Sequence, residues 1–127
     1  MRLQAYDELA DGVRASSDSW VITHGEPHRA NVIRDPQGGV HLVDWDTTLI
    51  APRERDLQMV LDQDLTGWDE YSELARVESL NHEALRLYRW WWELTDIAVF
   101  VAGFRQPHER TEDMVAAWEI LARNLAS

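Results

Sequence analysis

The chain has 127 residues, 45% of them hydrophobic, and carries 12 Lys and Arg against 23 Asp and Glu for a net charge of −11. That length suits a single domain over residues 1–127 with a real core, and is small for a complete two-domain enzyme. A field of this sign repels nucleic acid and acidic lipid and attracts cationic ligands, so neither a nucleic-acid nor a membrane partner is expected. The absence of cysteine removes disulfides and thiolate zinc sites. No apolar run approaches the ~20 residues that span a bilayer, and Met1 opens no signal peptide; a cytoplasmic location is the expectation.

Taken in chain order, Leu3, Tyr6, Leu9, Ala10 and Val13 recur at helical spacing and predict a helix over 2–15, closed by the polar Ser16-Ser17-Asp18-Ser19. Trp20-Val21-Ile22 reads as a short buried strand that delivers the chain to His24. Asn31 to Arg34 and Val40 to Val43 read as two further strands, joined by the hairpin-turn composition Asp35-Pro36-Gln37-Gly38-Gly39. Beyond Pro52 the pattern is helical: Arg55 to Leu65, a short Asp69 to Val77, and a long segment capped by Asn81 and stopped by Gly103 and Pro107. Thr111, followed by Glu112 and Asp113, starts a last helix, where carboxylates suit the positive end of the dipole. Trp90-Trp91-Trp92 point about 100° apart on a helix and cannot share one face. Core or interface packing is the expectation for them, rather than a stacking platform. The fold class is therefore α+β, mainly helical, with one small β-hairpin beside a polar loop.

That loop concentrates the chemistry. Glu26 and Asn31 are separated by a stretch containing Pro27, so a loop rather than a helix holds them, and Asp44 arrives at the end of the second hairpin strand. A hairpin folds Asn31 and Asp44 back to the same end. An amide oxygen beside one or two carboxylates is a hard-oxygen set suited to Mg²⁺, which takes its remaining ligands from water and a substrate phosphate. Phosphoryl transfer uses such an arrangement: a carboxylate orients the substrate hydroxyl, an Asn five residues on binds metal, and an Asp after the next hairpin binds metal too.

His24-Gly25-Glu26-Pro27-His28-Arg29-Ala30-Asn31, then Val43-Asp44-Trp45-Asp46, then Arg55-Asp56-Leu57, resemble the catalytic half of the aminoglycoside phosphotransferase family, which shares its fold with protein kinases. The family pattern is H-G-D-x-H-x-x-N, a hydrophobic residue followed by D-W, and a D-L or D-I pair at a helix start. The resemblance implies the C-terminal lobe of a kinase-like fold, ATP as co-substrate and Mg²⁺ as cofactor, with a small hydroxylated molecule as acceptor. It implies Glu26 as catalytic base, Asn31 and Asp44 as metal ligands, Asp46 as a further ligand or substrate contact, and His24, His28 and Asp56 as supports of the catalytic loop. The nucleotide-binding residues are not assigned.

Two departures stand out. The family usually has Asp where this chain has Glu26, which reaches about one bond further; members related to the spectinomycin kinases resemble this chain in carrying Glu. Nothing before residue 20 resembles the nucleotide lobe, with its Gly-rich loop and strand Lys. The expectation is a truncated catalytic lobe that holds ATP weakly alone. A separately encoded lobe, or a second copy in a homo-oligomer, would then cover the apolar surface left bare, and a non-catalytic dimerising or partner-binding remnant is the alternative reading.

Plainer roles compete at several positions. Gly25 and Pro27 break the helix that would align His24 and His28 on zinc. Asp46 reads equally as a ligand or as a carboxylate turned to water, and Asp56 as a helix-start carboxylate. Arg53 and Arg55 suit phosphate contacts or ion pairs with Glu54 and Asp56. The acidic face of Asp62, Asp64, Asp69, Glu70 and Glu73 reads as solvated, or as a cleft for cationic aminoglycosides.

Overall fold

In the computed structural model, which describes residues 2–126, helix α1 spans Arg2–Arg14 and buries Leu9, Ala10 and Val13. Leu9 and Val13 lie one turn apart and so share a face, whereas Leu3 stays exposed. Ser16 closes the helix by donating from its backbone and its hydroxyl to the Val13 carbonyl, one of the orphan acceptors of the last turn.

Strand β1 is Val21–Thr23, β2 Val32–Arg34, β3 Val40–Leu42 and β4 Leu49–Ala51. The expected hairpin is β2 with β3, antiparallel, with Val32 opposite Leu42 and Arg34 opposite Val40. Its turn is closed by Asp35 N–H donating to the Gly39 carbonyl at 3.0 Å, with Gly38 at φ 87°. The β1–β4 pair is a finding beyond the expected elements: Val21 faces Ala51, Ile22 faces Ile50 and Thr23 faces Leu49. Alternation along it exposes Ile22 and Ile50 together and buries Thr23 and Ala51. Three residues are too few for a period, and the partner is distant in sequence.

Helix α2 (Glu54–Val60) ends earlier than the expected Leu65, because Leu61 is already extended at ψ 133°. Beyond it Asp64 Oδ1 accepts from both the backbone and the hydroxyl of Thr66 at 3.1 and 2.8 Å, a local turn that competes with further helix. Helix α3 (Trp68–Ala75) follows, and Leu57, Leu61 and Leu85 form a buried cluster against Leu65, Trp68, Tyr71 and Leu80. Helix α4 (His82–Phe104) starts as expected, with Asn81 Oδ1 accepting from the amides of Glu83 and Ala84 at 3.1 and 3.0 Å. It runs one residue past Gly103. Helix α5 (Glu112–Ala126) begins after Thr111, whose hydroxyl accepts from Met114 N–H at 3.3 Å.

Two compact units result, one up to Tyr88 and one from Arg89 onward. The first contains the strands and the buried cluster just described. In the second, the Phe104 ring meets Trp118 edge-on at 5.5 Å and His108 at 5.4 Å, and Leu121 is buried. Trp91 stays 39% exposed, with Trp90 and Trp92 half-buried on either side, as their fan of directions requires. Among the described residues no helix is long and apolar enough to cross a membrane. The architecture is mainly helical with small antiparallel pairs, the class expected from the sequence.

Candidate active site

The polar loop is built on the end of β1. Thr23 and His24 are buried, and the chain leaves the strand through Gly25 at φ 100°, a left-handed conformation that costs glycine little. Asp56, on the first turn of α2, reaches back across more than thirty residues and accepts from His24 N–H through Oδ2 and from Gly25 N–H through Oδ1, both at 2.7 Å. One carboxylate thereby satisfies two successive amides of a bend that has no strand partner there.

The His24 ring ties the loop to the hairpin. Its Nε2 lies 2.8 Å from the Val43 carbonyl, and its Nδ1 lies 3.2 Å from Glu26 N–H. A carbonyl only accepts and a backbone N–H only donates, so the hydrogen sits on Nε2 and Nδ1 is the acceptor. The Trp45 ring covers His24 edge-on at 4.7 Å and is anchored by its own N–H to the Leu42 carbonyl at 2.9 Å.

A 3-10 turn over Arg29–Asn31 brings Asn31 back toward the loop, with its N–H on the His28 carbonyl at 2.9 Å. Asn31 is buried, and its Nδ2 donates to the Glu26 carbonyl at 2.9 Å. The amide nitrogen is thus committed to holding the loop, which leaves the amide oxygen as the group able to take a ligand. The Asn31 carbonyl accepts from Val43 N–H at 3.0 Å, extending the hairpin ladder one step beyond β2 and β3. Asp44 comes immediately after and leaves the ladder at φ 66°. Asp44 and Asp46 are exposed and Glu26 half-buried, and among the described residues nothing hydrogen-bonds their three carboxylates. The half-buried His28 enters the loop through its backbone carbonyl, not its ring.

These donors are all oxygens, the type Mg²⁺ takes, and among the described residues no group of three or more His, Asp or Glu is placed to hold a metal. A set of one amide and separate carboxylates suits an ion that completes its shell with water and phosphate, and does not suit a closed structural site.

Sequence reasoning missed Thr23 and Thr47, and of its two readings of Arg55 the ion pair with Glu54 or Asp56 does not form. The Arg55 guanidinium is buried, donates from Nη1 to Thr23 Oγ1 and from Nη2 to the Thr47 carbonyl, both at 2.8 Å, and pairs with neither Glu54 nor Asp56. Thr47 Oγ1 donates in turn to the His24 carbonyl at 2.8 Å. Burial pushes the Tyr88 hydroxyl above its ordinary 10.0, with the Arg55 charge opposing. Glu54 is occupied elsewhere, accepting from Asn81 N–H at 2.9 Å. Arg53 lines a polar groove with Ser16, Ser19 and Glu78. Signals for these pairings are absent from the local sequence, because a hydroxyl and a backbone carbonyl carry no motif.

Residues 1–94 match the sequence profile of the phosphotransferase enzyme family, APH. The chain belongs to this family. Protein StrN of Streptomyces griseus is 36% identical over 104 residues, covering 82% of this chain and 29% of StrN. The crystal structure of spectinomycin phosphotransferase APH(9)-Ia in complex with ADP and spectinomycin superposes with a TM-score of 0.70 at 20% identity, over 94% of this chain and 38% of that one. Its AMP-bound complex gives 0.68 over the same shares. The likeness shows that the chain has the kinase-like APH fold. The chain spans less than a third of the length of StrN.

Proposed function

We propose that this chain forms the catalytic lobe of an ATP- and Mg²⁺-dependent phosphotransferase that moves a γ-phosphate to a hydroxyl of a small molecule. Glu26 orients that hydroxyl and accepts its proton, while Asn31 Oδ1 and Asp44 hold the metal, with Asp46 as a further ligand or substrate contact. The observation that carries the reading is the closure of one hairpin end. Val43 N–H on the Asn31 carbonyl and Asn31 Nδ2 on the Glu26 carbonyl draw the base loop and the carboxylate segment to the same edge, with the acid groups unengaged.

When bound, Mg²⁺ would neutralise charge on the β and γ phosphates and fix their orientation. The chain's own residues do the remainder. The His24 ring and the Asp56 carboxylate pin the backbone on both sides of Gly25, so the Glu26 carboxylate is presented from a fixed loop instead of searching for the hydroxyl. The solved complexes with ADP, AMP and spectinomycin in the APH fold support a nucleotide and a hydroxylated acceptor as the substrate classes. The net charge of −11 favours a cationic one.

The test is transfer of label from γ-labelled Mg-ATP to spectinomycin and to a panel of hydroxylated aminocyclitols by a transfer-competent assembly that contains this lobe. Glu26→Gln should lower the rate by about 10²-fold or more, the usual worth of a positioned base, and Asp44→Ala should abolish Mg²⁺-dependent transfer. Unchanged transfer in either variant overturns the assignment.

A further inference from the structure

We infer that Arg55 and Thr47 are positioning residues that lock the Glu26 loop and the Asp44–Asp46 segment into one fixed relation; the catalytic consequence of the lock rests on the function proposed above. Two segments carry the acid groups; besides the β1–β4 ladder and the His24 ring on the Val43 carbonyl, a buried side-chain bridge joins them. The first leaves β1 through Thr23, His24 and Gly25; the second runs from Asp44 through Thr47 into β4. The buried Arg55 guanidinium bridges them, with one nitrogen on Thr23 Oγ1 and the other on the Thr47 carbonyl, each at 2.8 Å. Thr47 Oγ1 closes the ring by donating to the His24 carbonyl at 2.8 Å.

The type of residue matters. Arg presents diverging donors on a rigid plane, so it can reach two acceptors on two segments at once, where Lys offers one compact ammonium. A buried cation is costly unless hydrogen-bonded, and here both bonds go to parts of the site and neither to a carboxylate. Gly25 adds an independent mark of the same fit. A Cβ there would run into the Arg55 guanidinium and would sit 2.6 Å from Thr47 Oγ1, so the loop passes these two side chains at a distance only glycine allows. Asp56 grips the amides of His24 and Gly25 from the next position of the same helix turn. The start of α2 therefore holds the base loop by Asp56 and the spacing between the two acid-bearing segments by Arg55.

The experiment uses the full chain, ¹⁵N-labelled, with amide resonances and Mn²⁺ titration as separate readouts and thermal unfolding run in parallel. In the unmodified protein the first resonances that Mn²⁺ broadens should be those of Asn31 and Asp44. Arg55→Met should shift the amides of His24, Gly25 and Thr47 together and weaken Mn²⁺ binding by roughly tenfold or more, as loss of an outer support of a metal site does. Arg55→Lys, whose single compact ammonium cannot span both acceptors as the planar guanidinium does, should recover only part of either effect. Thr47→Val removes only the hydroxyl and keeps the carbonyl, so it should shift both readouts in the same direction by less, and it serves if Arg55→Met does not fold. Unchanged Mn²⁺ affinity in a folded Arg55→Met or in Thr47→Val, or amides of the two segments moving independently, overturns the inference. If the unmodified protein shows no broadening at Asn31 and Asp44, the metal assignment fails. The amide shifts alone then decide the lock: joint movement upholds it and independent movement overturns it.

Discussion

Two bends of this chain are held by the same chemistry at very different range. At the hairpin tip Asp35 Oδ1 accepts from the amides of Gln37 and Gly39 at 2.9 and 2.7 Å, and Oδ2 meets the His41 ring at 2.9 Å, all within six residues. At the candidate active site Asp56 accepts from the amides of His24 and Gly25, which lie 32 and 31 residues away. Both carboxylates satisfy two backbone donors of a turn. The one at the hairpin tip organises only its own loop, whose neighbours Pro36, Gln37 and Gly38 are exposed, so water would satisfy the same amides if it were lost. The other organises a loop next to two fully buried residues, Thr23 and His24, where water has no ready access. Range and burial, not bond count, decide which bend the fold depends on.

Removing the distant carboxylate is the sharpest way to break that comparison. Asp56→Ala leaves two amides of a largely buried bend without their acceptor and should cost about 3 kcal/mol of stability, the scale of losing charge-assisted bonds to buried donors. Urea unfolding measures it; a loss below that of an ordinary surface substitution would show that the loop has another support. Next in size is Gly25→Ala. It places a side chain at φ 100° and against Arg55 and Thr47, and should destabilise by about 2 kcal/mol while displacing the Thr47 amide resonance.

The same contrast explains what the sequence discloses. The hairpin turn is legible in Asp35-Pro36-Gln37-Gly38-Gly39, because each of its bonds is made by a neighbour whose type announces it. Asn81 as the cap of α4 is legible for the same reason. The ordered motifs around His24, Asp44 and Asp56 point to the family through their spacing, although no local rule reveals that Asp56 caps amides far upstream. Strand β4 is hidden because three residues have no period and its partner precedes it by 26 or more. Arg55 is the most instructive case. An Arg flanked by Glu54 and Asp56 reads as an ion pair or a phosphate contact, yet burial sends its guanidinium to a threonine hydroxyl and a backbone carbonyl that no composition marks.

A local cap of intermediate weight sharpens the scale. Asn81→Ala removes the acceptor for the amides of Glu83 and Ala84 and should cost about 1 kcal/mol, the usual worth of a helix N-cap. The loss, read by thermal unfolding, should fall well short of that for Asp56→Ala.

The hairpin tip should show the smallest effect, and its pH dependence identifies the bond responsible. The His41 side chain, followed by the Gly39 amide, holds the Asp35 carboxyl below its ordinary 3.8. With the folded value below the unfolded one, the stabilisation is fully present above about pH 4 and is lost as pH falls through the folded value. The amide resonances of Gln37 and Gly39 should therefore titrate with a midpoint below 3.8. In Asp35→Asn that titration should vanish, while the His24 and Gly25 amides stay where they are. Movement of those amides on altering Asp35 would mean that the hairpin tip and the catalytic loop are coupled, and that the local bend does more than hold itself.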